Sequence, residues 1–107
     1  MKPLDLGQLQ EVIRARSVEW RKHVLQRMAE RNISQASVLD VLLTGERVRD
    51  YPEDKPFASA LFLGYDGPRP LHVVAALDET AGQAFIVTVY EPSLEVFEAD
   101  YKTKRKL

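Results

Sequence analysis

With 107 residues the chain is long enough for one modest hydrophobic core and too short for two independent ones. Its 15 basic and 16 acidic residues leave a net charge of −1, which excludes attachment to nucleic acid by bulk charge; any such contact must come from a local cluster. The absence of cysteine excludes disulfides and thiolate metal sites, and no apolar run approaches the roughly 18 residues of a spanning helix.

Hydrophobic residues at 45% and charged residues at 29% fit a soluble globular chain. The start, Met1-Lys2-Pro3-Leu4-Asp5, lacks the apolar stretch of a secretory signal. A cytoplasmic protein without a membrane partner is expected.

Leu9, Val12 and Ile13 recur at helical spacing and predict a short amphipathic helix over 7–16. Ser17 is placed to cap a second helix from about Val18 to Arg31, with Asn32 in the left-handed position that ends it. Within that helix His23, Arg27, Glu30 and Arg31 share about one third of the circumference, opposite Val24, Leu25, Met28 and Ala29. Ser34 caps a third helix, Gln35 to Thr44, which Gly45 terminates. That helix is apolar nearly all round and should be the most buried.

Beyond Glu46 the pattern changes to strands. Arg47 to Tyr51 can form a short strand stopped by Pro52, and Pro52 to Pro56 is an irregular charged loop. Ser59 to Tyr65 reads as a strand buried on both faces. Asp66-Gly67 signals a hairpin, lengthened by Pro68 and Pro70, into a strand over Leu71 to Leu77. A polar link leads to Ala84 to Tyr90, rich in β-branched residues and halted near Pro92. Ser93 to Tyr101 should form a helical turn or a last strand, followed by a basic tail.

The order predicts an α+β fold: about three N-terminal helices packed on one face of a four-stranded, mainly antiparallel twisted sheet whose other face is open. One domain is expected over 1–107, with an accessory helix at 1–16, a core at 17–101 and the tail at 102–107.

Strand alternation sets His72 opposite Leu71 and Val73, and groups Thr88 and Tyr90 with Ile86. If those strands pair, His72, Thr88 and Tyr90 converge on one side. Metal-free cleavage of a phosphodiester needs a proton acceptor, a proton donor and a cation, and two histidines with an arginine would supply them. The competing readings are plain: His23 as a solvated helix residue, and His72 as a sheet residue hydrogen-bonded to backbone. Two histidines so far apart, with no HExxH, form no metal signature, so no metal or cofactor is expected.

The ordered motifs His23-x-x-x-Arg27-Met28-x-x-Arg31-x-Ile33-Ser34, Gly45-Glu46-x-Val48-x-x-Tyr51-Pro52, Pro70-Leu71-His72-Val73-Val74 and Thr88-Val89-Tyr90-x-Pro92 resemble the bacterial family called domain of unknown function 4258. Phe97 stands where that family usually has a tryptophan, and Lys104-Arg105-Lys106 supplies its basic end. The resemblance implies the small α+β ribonuclease-toxin fold of the barnase, EndoU, colicin and RelE groups, with RNA over the open sheet face. Together with the paired histidines, it points to a metal-independent, toxin-related endoribonuclease with His23, His72 and Tyr90 as catalytic residues. Arg27, Arg31, Thr88 and Arg105 would bind substrate, and a cognate antitoxin or other protein is an expected partner. The alternative is a non-catalytic protein-interaction module of the same fold.

Overall fold

Asp5 opens the first helix by accepting the Gln8 N–H on its carboxylate, and α1 (Leu6–Arg14) follows in this computed structural model, which describes residues 1–106. Leu9, Val12 and Ile13 turn inward as their spacing requires. Arg16, at φ 62°, ends the helix, with the Ser17 N–H returning to the Val12 carbonyl.

Ser17 is not a helix cap. Its hydroxyl donates to Gln83, its carbonyl accepts from the Ala84 N–H, and Val18–Trp20 becomes strand β1. The second helix, expected from Val18, therefore begins only as α2 (Lys22–Glu30). Asn32 takes the left-handed position at φ 55°, and the Asn32 and Ile33 amides bond back to Ala29 and Met28. Ser34 caps α3 (Gln35–Thr44) by accepting the Ser37 N–H. α3 buries Val38, Val41 and Leu42, as many residues as α1 buries.

Four strands follow: β2 (Glu46–Tyr51), β3 (Ser59–Asp66), β4 (Arg69–Asp78) and β5 (Gln83–Tyr90). With β1 they form a mixed five-stranded sheet in the order β1-β5-β4-β3-β2, where the expectation was four strands. β1 runs parallel to β5, and the other pairs are antiparallel. The β3–β4 turn is also shorter than expected. Asp66 pairs directly with Arg69, Gly67 adopts φ 61°, and Pro70 lies within the strand opposite Tyr65.

In β5, Thr88 pairs with Val74 but Ile86 pairs with Ala75, which leaves Val87 as a bulge. Ala84, Ile86 and Val89 consequently join the helix-side core with Leu71, Val73, Ala75, Ala60 and Phe62. Thr88 and Tyr90 face the other side with His72, so they do not share a face with Ile86. That second face is not open at its His72 end. Residues 92–106 cross it, with a turn over Leu94–Val96 and a bridge between Phe97 and Lys104. Of the tail expected over 102–107, Leu107 lies outside the described residues. No helix among the described residues is long and apolar enough to cross a membrane.

α3 meets β3 at backbone distance. A Cβ on Gly64 would stand 2.7 Å from Val41 Cγ2 and 3.1 Å from Val41 Cα, and one on Gly45 would collide with the carbonyl oxygens of Val41 and Leu63. Gly45 thus ends α3 with extended backbone, and crowding rather than left-handedness demands the glycine. Gly64→Ala should lose about 1–3 kcal/mol in urea unfolding. The loss should shrink in a Val41→Ala background, because the obstructing methyl is then absent. Equal losses in both backgrounds would show that the contact does not limit packing.

Candidate functional site

His72 sits opposite Tyr90 on the second sheet face, fully buried at 0% exposure. Its Nε2 lies 2.7 Å from the Tyr101 carbonyl oxygen and its Nδ1 3.0 Å from the Tyr90 hydroxyl. A carbonyl only accepts, so Nε2 carries the proton; Nδ1 then accepts from Tyr90. Phe97 closes the ring from the edge, with centroids 4.9 Å apart at 80°. Burial pushes the His72 pKa below its ordinary value, partly countered by the Tyr101 carbonyl. Burial also raises the Tyr90 phenol, with Tyr51 adding to the rise and Arg49 opposing it. The imidazole is therefore neutral and sealed at neutral pH. Thr88 is half-buried on the same face.

The covering segment is braced by its own charges. Arg105 donates to the Leu94 carbonyl and to Glu98, and Lys102 pairs with Glu46 at 2.8 Å. The Asp100 carboxylate accepts from the Thr103 and Lys102 amides and the Thr103 hydroxyl, which holds its pKa down to about 2. Arg105, expected at the substrate, instead secures the lid over His72.

α2 presents the opposite situation. Only Val24 and Met28 are buried, and both enter the helix-side core. Leu25 and Ala29, expected against the core, lie at the surface, so the anchored stripe is narrow. Lys22, His23, Arg27, Glu30 and Arg31 are exposed, and no ion pair holds any of them among the described residues. Arg69 anchors the C-terminal end of α2 by donating to the carbonyls of Arg31 and Asn32, each at 2.9 Å, while pairing with Asp66. Beside it, Arg31, Ile33, Arg69 and Glu91 line an open hollow of about 460 Å³.

The expected residues thus separate into two groups. His72, Tyr90 and Thr88 come together on one sheet face, and His23, Arg27 and Arg31 on a helix packed against the other. The two histidines do not form an acid/base pair, because the sheet lies between them and one is buried. His72 is instead the sheet histidine bonded to backbone. Two features were missed. Arg69 had a local trace in its spacing from Asp66 across the hairpin; the Tyr101 carbonyl had none, since every residue carries one. Among the described residues no group of acidic and histidine side chains could hold a metal ion.

The chain belongs to the family described as Domain of unknown function (DUF4258), whose model matches residues 20–91. No curated protein and no solved structure matches the chain.

The burial of His72 makes stability depend on mild acid. The folded state has a lowered pKa and binds fewer protons than the unfolded chain, so the stabilisation is whole above about pH 6.5 and is lost as pH falls below it. Melting temperature should fall between about pH 7.5 and about pH 5.5. His72→Gln should flatten that dependence while costing about 1–3 kcal/mol at the higher pH. An unchanged pH profile in the variant would remove His72 as the cause.

Proposed function

We propose that this DUF4258 domain binds RNA through phosphate contacts along the exposed edge of α2, without a two-histidine acid/base site. The observation that carries the reading is the row of His23, Arg27 and Arg31, none held by a carboxylate among the described residues. Elsewhere Arg47, Arg69, Lys102 and Arg105 each have an acidic partner. Steps of four residues rise about 6 Å along a helix, so neighbouring side chains can take neighbouring phosphates. Arginine suits the task through its paired N–H donors. The resemblance to small ribonuclease toxins supports RNA as the ligand.

Cleavage is not part of this reading. His23 is the one histidine an RNA strand can reach. Glu30, the carboxylate nearest it along the same edge, stands about 10 Å further on by helical rise, too far to share one reacting phosphate.

A second reading, a protein-interaction module that binds an antitoxin or another protein, draws on the outer edge of β1. That edge has no strand neighbour, and Arg16, Val18, Trp20, Gln35 and Leu39 line a hollow of about 290 Å³ beside it. A partner could add a strand there.

Fluorescence anisotropy with a labelled single-stranded RNA tests the first reading. Log affinity should fall against log salt with a slope of about −2 to −3, as three or four phosphate contacts require. Arg27→Ala and Arg31→Ala should each weaken binding about 3- to 10-fold and flatten the slope by about 0.7. Salt-independent binding, or full affinity in the double variant, would refute it. In EDTA the RNA should remain intact, and His23-dependent cleavage would restore a catalytic role.

A further inference from the structure

Below the stacked rings of Phe57 and Phe85, at the end of the second sheet face away from His72, lies a narrow hollow of about 140 Å³. It is smaller than a drug-sized pocket and suits one planar ring system. The two rings are nearly parallel, 11° apart with centroids at 5.6 Å, and both are half-buried, so the stack presents ring surface to the hollow. Ser59, 1% exposed, donates its hydroxyl to Asp54 Oδ2 at 2.6 Å. That bond fixes the carboxylate and leaves Oδ1 without a hydrogen bond among the described residues. Arg21 and Lys55 stand at the rim as exposed cations. Arg21 is also the residue that opens α2.

Taken together, an aromatic wall, a fixed acceptor and two cations describe a ligand with a flat ring, a donor on its edge and a negative group attached. A free ammonium ligand would meet Asp54 but be repelled by Arg21 and Lys55. We infer that this hollow seats one unpaired nucleobase that carries an exocyclic amino group. The base stacks on the Phe57–Phe85 pair, its amino N–H donates to Asp54 Oδ1, and its phosphate meets Arg21 or Lys55. The inference deepens the α2 reading, from which it takes RNA as the source of the base. Arg21 connects the two sites.

Cytidine and uridine monophosphates share ring size, sugar and phosphate and differ along one edge, where cytosine has its amino donor and uracil a carbonyl beside the N3–H, which makes them the probes. Titrated into the full chain and followed by amide NMR shifts, CMP should move the Phe57, Ser59 and Phe85 resonances at about 5- to 10-fold lower concentration than UMP. Asp54→Ala, which removes the acceptor, should abolish that preference and leave UMP unchanged. Equal affinities, no shift from either nucleotide, or a preference that survives Asp54→Ala would overturn the inference. Single-stranded C and U hexamers separate a strand from a free nucleotide and this site from α2. A C hexamer that shifts α2 but not Ser59 overturns the nucleobase site alone. CMP binding at Ser59 with no hexamer shift on α2 supports the site, with a free nucleotide as its ligand, and overturns the α2 reading.

Discussion

Val87 interrupts the alternation of β5, and the arrangement of side chains on both sides of the sheet depends on that extra residue. A regular strand would place Ala84, Ile86, Thr88 and Tyr90 on one face. With the bulge, Ala84, Ile86 and Val89 all turn toward the helices, so the strand buries apolar residues on the core side along its length. The same shift turns Thr88 and Tyr90 the other way, onto the face that Phe85 already occupies. Tyr90 is thereby delivered to His72, while Phe85 meets Phe57 at the opposite end of the second face. One backbone irregularity thus puts a sealed polar contact and an accessible aromatic hollow on the same face.

The charges divide along a different line. At the His72 end of the second face, three cations are committed to carboxylates or carbonyl oxygens: Arg69 to Asp66 and α2, Lys102 to Glu46, Arg105 to Glu98 and Leu94. Such pairs hold loops in register more than they add stability, since they lie near the surface. The α2 edge has no such commitments, so its cations keep their full attraction for an anion. Near-zero net charge is thus compatible with a local phosphate site, because between Lys22 and Arg31 the cations Lys22, Arg27 and Arg31 are set against a single carboxylate, Glu30.

Where a structural signal is local, the residues declared it. Ser34 as a cap, Asn32 as a left-handed terminus and the spans of the four later strands are each set by neighbours a few residues away, and all are present. β1 was hidden because Val18-Glu19-Trp20 lies directly ahead of a helical pattern and becomes a strand only by pairing with β5, 66 positions later at Val18–Ala84. The bulge was hidden because Phe85 to Tyr90 are all good strand formers, and propensity is blind to register. The candidate site was half legible. The grouping of His23, Arg27 and Arg31 depends on helical spacing alone. The fate of His72 depends on a segment some 30 residues further on that supplies a backbone acceptor and an aromatic lid.

The family match ends at residue 91 and begins at residue 20, whereas the packing respects neither limit. α1 places Leu9, Val12 and Ile13 in the main core from one side, and Phe97 and the Tyr101 carbonyl close over His72 from the other. A recombinant fragment cut at the family boundaries would bare the core on both sheet faces and leave a buried imidazole without its acceptor. In this chain the stretch that matches the family is therefore smaller than the unit that packs together.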